Sequence, residues 1–350
     1  MGKEEGFGRR LTAWYAEGHR DLPWRSAPGA YEVWISEIML QQTRAETVIP
    51  YYRRFLALFP DVFALADSDE TELLKAWEGL GYYSRARNMK RAAREIVDRY
   101  GGELPASVSE LRRLPGIGDY TAGAIASIAF GIPAPAVDGN FERVFCRYFG
   151  IGEVMDPQAR NQLARDAEDL VPRDNPGAFA NAVMELGATV CLPRSPKCSV
   201  CPLEADCSAK AQGDPETLPV KPKKKGQRVE VRSQMLVFGR RGVLLCRREE
   251  RLLQGLFVFP DREGDLTPEQ MCAALEEIGI PAAYDAALGT ARHVFTHIIW
   301  EMRIHAFRAL EDSPAPEGAR WADAATLSEL PLPSAVRAAK ELALRRMGRE

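Results

Sequence analysis

The spacing of apolar residues divides the chain into two parts with different predicted secondary structure. Through residues 7–210, apolar positions recur every three or four residues, which is the period of an amphipathic helix. Paired side chains that can satisfy each other's free backbone amides mark several helix starts. The pairs are Thr43 with Glu46, Ser107 with Glu110 and, in a weaker form, Asp69 with Glu72. Helix ends are expected near Gly79–Gly81 and at Gly131.

The pattern changes beyond residue 210. Residues 211–228 are rich in Pro, Gly and Lys and have no apolar period, which predicts a linker. Short apolar and β-branched runs then predict strands, at 229–238, 243–249, 256–260 and 293–307. A helix from about Ser334 to Arg346 closes the chain. We therefore expect a multidomain protein, with an all-helical part over 1–210, the linker, and a smaller α+β part over 229–350.

Length and composition agree with this division. The 350 residues suffice for two or three domains, and 46% hydrophobic with 27% charged residues are typical of folded cores. The sequence has no apolar run long enough for a membrane span. The first ten residues carry several charges and no apolar segment, which argues against a secretory signal and predicts an intracellular protein.

Positive charge is concentrated locally in a chain whose net charge is −3. Residues 85–94 (RARNMKRAAR) and 221–228 (KPKKKGQR) contain cations and no acidic residue. Such a run is either a solvated helix face or linker, or a stripe that contacts nucleic-acid phosphates. The sequence leaves both interpretations open.

The cysteines include a compact cluster with the spacing C-x6-C-x2-C-x5-C, formed by Cys191, Cys198, Cys201 and Cys207. In an intracellular chain, such a cluster favours a metal site over disulfides. Four thiolates suit either tetrahedral zinc or a four-iron cluster, although paired C-x2-C knuckles would be the usual form for zinc. The remaining cysteines are scattered and are expected to be core or surface residues.

Residues 111–131 predict a helix, a Pro-Gly-x-Gly hairpin and a second helix rich in small residues. Gly116 and Gly118 permit backbone conformations that other residues resist. The free amides at the start of the second helix form an anion site, which suits a DNA phosphate without reading base sequence. The alternative is a plain tight turn between core helices.

Two carboxylates are candidates for acid–base chemistry. Asp138 opens a predicted helix in VDGNFERVF, with Asn140 as a hydrogen-bond partner, and Glu37 lies in the apolar stretch WISEIML. An apolar setting raises the pKa of a carboxyl group and keeps its proton available. A pair of this kind suits the cleavage of a glycosidic bond, in which one acid protonates the leaving group and one carboxylate faces the sugar cation. Taken alone, Asp138 is only a helix cap and Glu37 only a polar edge residue.

Together these motifs resemble the MutY family of adenine DNA glycosylases, within the endonuclease III superfamily. LPWR (22–25), SEIMLQQT (36–43), GLGYYSRARN (79–88), LPGIGDYTAGAI (114–125), VDGNFERV (137–144) and the cysteine loop occur in the family's order. The resemblance implies a [4Fe–4S] cluster on the four clustered cysteines and phosphate contacts from Arg194 and Lys197. It also implies a six-helix barrel over about 27–132, with cluster-side helices over 1–26 and 133–210.

The same resemblance implies a role for each residue of the pocket. Glu37 would protonate adenine on its five-membered ring, and Asp138 would stabilise or transiently bond the sugar cation, with Tyr120 and Asn140 assisting. Family members that also cleave the strand carry a lysine at the position of Tyr120, and a phenol cannot form the Schiff base. Base removal without a strong lyase step is therefore expected.

Other matches concern the contact with the duplex. Gln42, Thr43 and Tyr82 match residues that family members wedge beside the damaged guanine, which offsets the cost of extruding a base. The alternatives are a core aromatic for Tyr82 and a helix cap for Thr43. Asn181 departs from the family, which has Gln or Glu touching adenine there. Glu142 stands where some members carry a basic residue.

The C-terminal part resembles the Nudix-like domain with which the family recognises 8-oxoguanine. Residues 276–277 are the Glu-Glu of a Nudix hydrolase, but residues 272–273 are Cys-Ala where the hydrolase has Arg-Glu. The magnesium site is therefore incomplete, and recognition without hydrolysis is expected. Phe295, Thr296 and His297 match the family's Phe-Ser-His loop, with Thr in place of Ser.

The resemblance thus predicts a monomeric, monofunctional glycosylase that acts on duplex DNA containing an adenine·8-oxoguanine mispair. One alternative is another mismatch or oxidised-base glycosylase of the superfamily. Tyr120 disfavours its strand-cleaving members, and the added C-terminal domain disfavours the short mismatch enzymes. A nucleotide-pool hydrolase is disfavoured by the incomplete Nudix site. A redox-responsive DNA-binding regulator would leave Glu37 and Asp138 dispensable.

Overall fold

The computed structural model describes residues 3–26, 28–222, 226–250, 252–312 and 314–348. The centre of the basic run at 221–228 lies outside these residues. Two compact units are present, one formed by Met1–Ser68 and Ser84–Lys223, the other by Asp69–Tyr83 and Lys224–Glu350. Within the described residues, no helix combines the length and apolar character needed to cross a membrane.

The described residues up to the linker are helical, as the apolar period predicts. The helices are α1 (Lys3–Glu17), α2 (Ala30–Leu40), α3 (Ala45–Leu58), α4 (Val62–Asp67), α5 (Glu70–Ala76), α6 (Ser84–Tyr100), α7 (Val108–Leu111), α8 (Asp119–Phe130), α9 (Gly139–Phe149), α10 (Pro157–Glu168), α11 (Pro176–Thr189) and α12 (Ser208–Ala211). All except α5 belong to the first unit. Short 3-10 helices at Pro23–Arg25, Cys198–Val200, Glu204–Asp206 and Pro215–Thr217 join them.

The structure confirms only one of the three side-chain caps predicted from paired residues. Asp69 caps α5 as expected, because its carboxylate accepts from the amides of Thr71 and Glu72. Ser107 is the N-cap of α7, but its hydroxyl contacts Ser109 instead of the helix amides. The capping box at Thr43 is wrong. The N-cap of α3 is Arg44, one residue later, and the Thr43 hydroxyl donates to the carbonyl of Gln41 at 3.4 Å.

A cluster of aromatic side chains holds α1, α9 and α11 together in the first unit. Phe7 packs against Phe145, Tyr148 and Phe179, and all of these are buried. Each buried ring of this size contributes about 1.5–3 kcal/mol to stability through removal of apolar surface from water. Helix α8 packs closely against the segment between α8 and α9 because Gly123 has no side chain. A Cβ at Gly123 would lie 2.2 Å from the carbonyl oxygen of Pro135.

The basic run at 85–94 is part of α6 and caps other helices. Arg85 donates to the carbonyl of Ile38 in the last turn of α2 at 2.8 Å. Arg94 and Lys90 donate to carbonyls at the C-terminal end of α4. Cations at these positions complement the negative end of a helix dipole. Arg85 therefore ties α6 to α2, and Lys90 and Arg94 tie α6 to α4.

The second unit is a mixed sheet between two layers of helix. Its elements are β1 (Arg228–Gly239), β2 (Gly242–Arg247), β3 (Phe257–Val258), β4 (Asp261–Glu263), α13 (Pro268–Glu277), β5 (Ala282–Val294), β6 (Ile298–Ala309), β7 (Ala319–Ala322), α14 (Ala324–Glu329) and α15 (Arg337–Met347). The strand order is β3-β2-β1-β6-β5, with β4 on β1 and β7 on β2. Strands β1 and β6 run parallel, and the other pairs are antiparallel.

Alternation along β1 builds a core on each face of this sheet. Met235 and Val237 pack with α13, whereas Leu236, between them, packs with α14 and α15. The predicted run over 293–307 is two strands, because residues 295–297 form a turn between β5 and β6. Most of β5 escapes prediction because it is a largely exposed edge strand of small and polar residues, which carry little strand signal.

Candidate active site

The first unit contains a cavity of about 340 Å³ lined by α2, α8, α9, α11 and the segment before α2. The predicted catalytic residues all line it: Glu37, Tyr120, Asp138 and Asn140. Thr43 and Asn181 also line it, as do the apolar side chains of Leu22, Trp24, Leu40 and Met184. The structure thus gathers side chains that lie more than a hundred residues apart in the sequence into one polar pocket with apolar walls.

Glu37 projects from α2 and is 3% exposed. Burial raises its pKa to about 7, and the neighbouring charge of Asp138 adds to the increase. The hydroxyl of Tyr120 donates to Glu37 Oε2 at 2.5 Å and opposes the shift. Glu37 is therefore close to half-protonated at neutral pH, as a general acid requires.

Asp138 is the N-cap of α9. Its Oδ1 accepts from the amides of Asn140 and Phe141 at 2.9 and 2.7 Å, and its Oδ2 accepts from Asn140 Nδ2 at 2.8 Å. Burial raises the pKa of Asp138, while these hydrogen bonds lower it. Three N–H donors and the positive end of the helix dipole provide fixed stabilisation for a carboxylate anion. Both the cap and the partner predicted for Asp138 are confirmed.

Asn140 connects Asp138 to the rest of the unit. Its Oδ1 accepts from Arg143 NH2 at 2.8 Å, and Arg143 also donates to the carbonyl of Cys191 at 2.7 Å. Helix α11 allows this approach at Gly187, where a Cβ would lie 2.5 Å from the Cβ of Asn140. Arg143 thus links the pocket to the start of the cysteine loop, a connection that the sequence did not reveal.

An ion cluster beside the pocket was also missed. Glu185, on α11, is 2% exposed and accepts hydrogen bonds from Arg20 and Arg25, each at 2.9 Å to its Oε2. Burial raises the pKa of Glu185, but the hydrogen bonds from Arg20 and the charge of Arg25 outweigh it, so that the pKa falls below its usual value. Arg25 is the last residue of the motif LPWR and Arg20 lies just before it, and this proximity to a family motif was the available signal.

The structure shows the surroundings of Asn181 and Glu142, the two residues that depart from the family pattern. Asn181 lines the cavity, and its Nδ2 donates to the carbonyl of Gly177 one turn earlier in α11 at 3.1 Å. Glu142 is 6% exposed and pairs with Arg160 at 2.7 Å. The Glu142 carboxylate therefore joins α9 to α10 through this ion pair.

The predicted hairpin precedes α8. Gly116 has φ of 80°, where an L side chain is disfavoured, and a Cβ there would lie 2.8 Å from the Cβ of Asn88. Gly118 is the N-cap of α8 and offers its first amides without a capping side chain. Asp119 follows in the first turn and pairs with Arg112 at 2.5 Å.

The predicted wedge residues fall in both units. Gln42 follows α2 with φ of 58°, and Arg85 holds this turn through the carbonyl of Gln41 at 2.7 Å. Tyr82 belongs to the second unit, is 47% exposed and has φ of 47°. Its hydroxyl lies 2.7 Å from Thr296 Oγ1. The interpretation of Tyr82 as a core aromatic is therefore wrong.

The loop at 295–297 is held by its neighbours. Phe295 packs edge-on against Trp300, with ring centroids 4.9 Å apart. The carbonyl of His297 accepts from the amide of Arg228, where β1 begins beside β6. The side chain of Gln227 donates to the carbonyl of Phe295 at 2.7 Å. Thr296 is left exposed at the tip.

Cys191, Cys198, Cys201 and Cys207 are free thiols that line one cavity, together with Arg147 and Lys197. Arg147 lies 3.4 Å from Cys191 Sγ and donates to the carbonyls of Leu192 and Pro193. Arg194 and Lys197 are exposed on the same loop. Across the described part of the chain, no group of His, Cys, Asp or Glu side chains is arranged to hold a metal ion directly.

Comparisons with known proteins agree with this geometry. Residues 35–173 match the family described as HhH-GPD superfamily base excision DNA repair protein, and residues 234–342 match the NUDIX domain family. The chain is 36% identical to the adenine DNA glycosylase of Homo sapiens, over 90% of this chain and 70% of that protein. It is 37% identical to the adenine DNA glycosylase of Buchnera aphidicola, over 73% of each. The structure of a thermostable thymine-DNA glycosylase has a TM-score of 0.56 and 32% identity, over 60% of this chain and 97% of that one.

Proposed function

The chain belongs to the adenine DNA glycosylase family, and on that premise we propose that it removes adenine mispaired with 8-oxoguanine from duplex DNA. It is a DNA glycosylase of base excision repair, with a helix–hairpin–helix domain followed by a Nudix-like domain. One observation supports the chemistry above all others: a buried carboxyl group with a pKa of about 7 shares a cavity with a carboxylate held at a helix N-terminus.

Glu37 is the general acid of this proposal. Its proton passes to a ring nitrogen of adenine as the bond to the sugar lengthens, so that a neutral base leaves. Tyr120 fixes the orientation of the Glu37 carboxyl through its 2.5 Å hydrogen bond. The apolar walls around Trp24, Leu40 and Met184 accept the extruded base.

Asp138 acts on the sugar. Its carboxylate faces the positive charge that develops as the base leaves, and stabilises that charge until a water molecule adds to C1′ of the sugar, which leaves an abasic site and releases a proton that restores the acid form of Glu37. Asn140 and the first amides of α9 hold the carboxylate oriented before the reaction begins. Among the described lining residues there is no lysine, and the family resemblance implies that Tyr120 stands where strand-cleaving members carry the lyase amine. The proposed enzyme is therefore monofunctional.

Recognition of the opposite base is assigned to the second unit. Tyr82 and Thr296 place two hydroxyl groups 2.7 Å apart on exposed turns, with Phe295 and His297 beside them. Hydroxyl groups and an aromatic ring can contact the edge and the face of a purine. Gln42, Thr43, the hairpin glycines Gly116 and Gly118, and the cations Arg194 and Lys197 complete the proposed contact with DNA.

The four clustered cysteines are proposed to hold a [4Fe–4S] cluster. All four are free, line one cavity, and have the donor chemistry that such a cluster requires. When bound, the cluster would cross-link the loop that carries Arg194 and Lys197. Iron and sulfide analysis of the purified protein tests this assignment, and one zinc per chain would replace it. We further propose that the protein works inside the cell as a monomer.

Single-turnover excision tests the substrate assignment. Duplexes carrying 8-oxoguanine·A, G·A, 8-oxoguanine·C or G·T are incubated with excess enzyme, and strand breaks are read with and without alkali. We expect breaks at adenine only, dependent on alkali, and faster opposite 8-oxoguanine than opposite guanine. Release of thymine, or breaks without alkali, would move the assignment to another glycosylase of the superfamily.

A further inference from the structure

The segment Asp69–Tyr83 is bound by residues of the C-terminal half of the chain. It contains α5 and the turn that carries Tyr82, and it packs in the second unit with α14 and the Leu330–Pro333 loop that follows it. Along the chain, however, it lies between α4 and α6 of the first unit. The contacts that hold this segment lie outside the residues that line the catalytic cavity.

Lys75 supplies the first contact. Its ammonium group donates to the carbonyl of Ser328, in the last turn of α14, at 2.8 Å. The same group pairs with Glu78 at 2.6 Å. A cation at the C-terminal carbonyls of a helix is favourable, because those carbonyls carry the negative end of the helix dipole. Lys75 therefore joins the end of α14 to the side chain of Glu78.

Glu78 and Tyr83 supply the second contact, and both act on Leu332. The amide of Leu332 donates to Glu78 Oε1 at 3.2 Å, and the carbonyl of Leu332 accepts from the hydroxyl of Tyr83 at 3.4 Å. Leu332 and Tyr83 are buried. Both backbone groups of one residue are thus engaged by two side chains that flank a short turn.

That turn carries Tyr82. Gly79, Gly81 and Tyr82 all have positive φ, of 104°, 70° and 47°. Tyr82 alone among them has a side chain, and this conformation is disfavoured for it unless the surroundings hold it. The contacts on either side of the turn supply that restraint, and they leave the Tyr82 hydroxyl at Thr296.

We propose that Lys75, Glu78 and Tyr83 are positioning residues that hold the Tyr82 turn against Thr296 and so set the preference for 8-oxoguanine opposite the excised adenine. This inference rests on the proposed function of Tyr82 and Thr296. A turn that is ordered before DNA binds avoids the entropic cost of ordering it on binding. This gain in binding free energy applies only to a duplex whose 8-oxoguanine the turn contacts.

The test compares substitutions at Glu78 with a control in the same segment. Glu78→Ala removes the acceptor for Leu332 and the partner of Lys75, whereas Glu78→Gln keeps a side-chain oxygen for Leu332. The control is Glu70→Gln, which removes an exposed pair with Arg247 at 3.5 Å. Single-turnover rates are measured with subsaturating enzyme on 8-oxoguanine·A and G·A duplexes. Amide hydrogen exchange of residues 79–83 is measured on the full-length protein without DNA.

We expect Glu78→Ala to reduce the ratio of the two rates by about ten-fold, the size of one lost anchoring interaction. It should also speed exchange in the turn while leaving the G·A rate within about two-fold. Glu78→Gln should recover most of the ratio, and Glu70→Gln should match wild type.

An equal fall on both duplexes, or unchanged exchange in Glu78→Ala, would overturn the proposal. If wild type itself shows no preference for 8-oxoguanine, the proposed opposite base is wrong and the specificity role falls with it. The exchange rates of the turn still decide whether these residues hold it.

Discussion

The catalytic cavity of the first unit and the Tyr82–Thr296 region of the second differ in how far their functional side chains are exposed to solvent. In the cavity, Glu37 is buried, and Asp138 takes its hydrogen bonds from residues two and three positions along the chain. In the second unit, Tyr82 is 47% exposed and contacts a residue 214 positions away. The two regions therefore differ in exposure: the cavity depends on buried and capped carboxyl groups, whereas the second region depends on a contact between exposed turns.

This difference follows from what each region has to do. A shift of the pKa of Glu37 to about 7 requires removal of its carboxyl group from water. Recognition of a base in duplex DNA requires groups that remain accessible to that duplex. Changes in the cavity should therefore alter the rate on every substrate, whereas changes near Tyr82 should alter the ratio between substrates.

The largest expected effect is that of Asp138→Asn. Loss of the charge facing the sugar cation should lower adenine release by about 10³-fold or more on every duplex, since oriented charges in such sites contribute several kcal/mol. Asparagine is also a good N-cap, so α9 should keep its stability. Single-turnover excision and thermal unfolding of the same preparations measure both quantities.

Asp156→Asn is the matched control for that substitution. Asp156 caps α10 in the same manner, through the amide of Ala159, and does not line the cavity. Its replacement should leave excision unchanged. A similar rate for Asp138→Asn and wild type would show that Asp138 is only a helix cap.

The second prediction concerns the energetic cost of burying Glu37. Folding raises the pKa of Glu37 from 4.5 to about 7. The contribution of protonated Glu37 to the free energy of unfolding is therefore fully present below pH 4.5 and is lost as pH rises through 7. Glu37→Gln should therefore stabilise the protein at pH 8 by roughly 2–3 kcal/mol, and by much less at pH 5.

Urea denaturation at the two pH values measures this difference. Glu95→Gln is the control, because Glu95 forms only a surface pair with Arg99 and should change stability by less than about 0.5 kcal/mol at either pH. An equal effect of Glu37→Gln at pH 5 and pH 8 would contradict a raised pKa at Glu37.

In the second unit, Thr296→Ala should act on the ratio of rates. Loss of the hydroxyl that contacts Tyr82 should reduce the preference for 8-oxoguanine over guanine by about five-fold, the value of one exposed hydrogen bond. Thr296→Ser keeps the hydroxyl and should retain the preference. An equal fall in the G·A rate would contradict this role and would show that Thr296 only stabilises the second unit.

A smaller effect is expected from Tyr120→Phe. The phenol lowers the pKa of Glu37 through its hydrogen bond, so its removal should raise that pKa. The alkaline limb of the rate profile should therefore move to higher pH. Tyr31→Phe removes a comparable hydrogen bond, to the carbonyl of Phe59, outside the cavity and should leave the profile in place.

The catalytic cavity was predictable because its residues lie in short motifs. The apolar neighbours of Glu37 indicated its burial, and the DGN motif indicated the cap and the partner of Asp138. The structure adds Arg143, Arg20, Arg25 and Glu185, which act through hydrogen bonds between segments that are far apart in the sequence. Apolar periodicity alone does not distinguish such arginines from surface cations.

One local prediction failed, and local patterns did not report other tertiary contacts. Thr43 does not cap α3, because the turn after α2 is held by Arg85 through the carbonyl of Gln41. The basic run in α6, open to interpretation as a phosphate stripe, supplies caps for other helices. The assignment of α5 and Tyr82 to the second unit depends on contacts with Ser328 and Leu332, about 250 residues away, which sequence periodicity does not report.

The pH dependence of adenine excision tests the central claim most directly, because it reads the proton on Glu37. Single-turnover rates on an 8-oxoguanine·A duplex should be constant on the acidic side and should fall about tenfold per pH unit above pH 7. Glu37→Gln should be slow and independent of pH over the same range. A wild-type rate that rises through pH 7, or that falls in parallel in the Glu37→Gln variant, would contradict the assignment of Glu37 as the general acid.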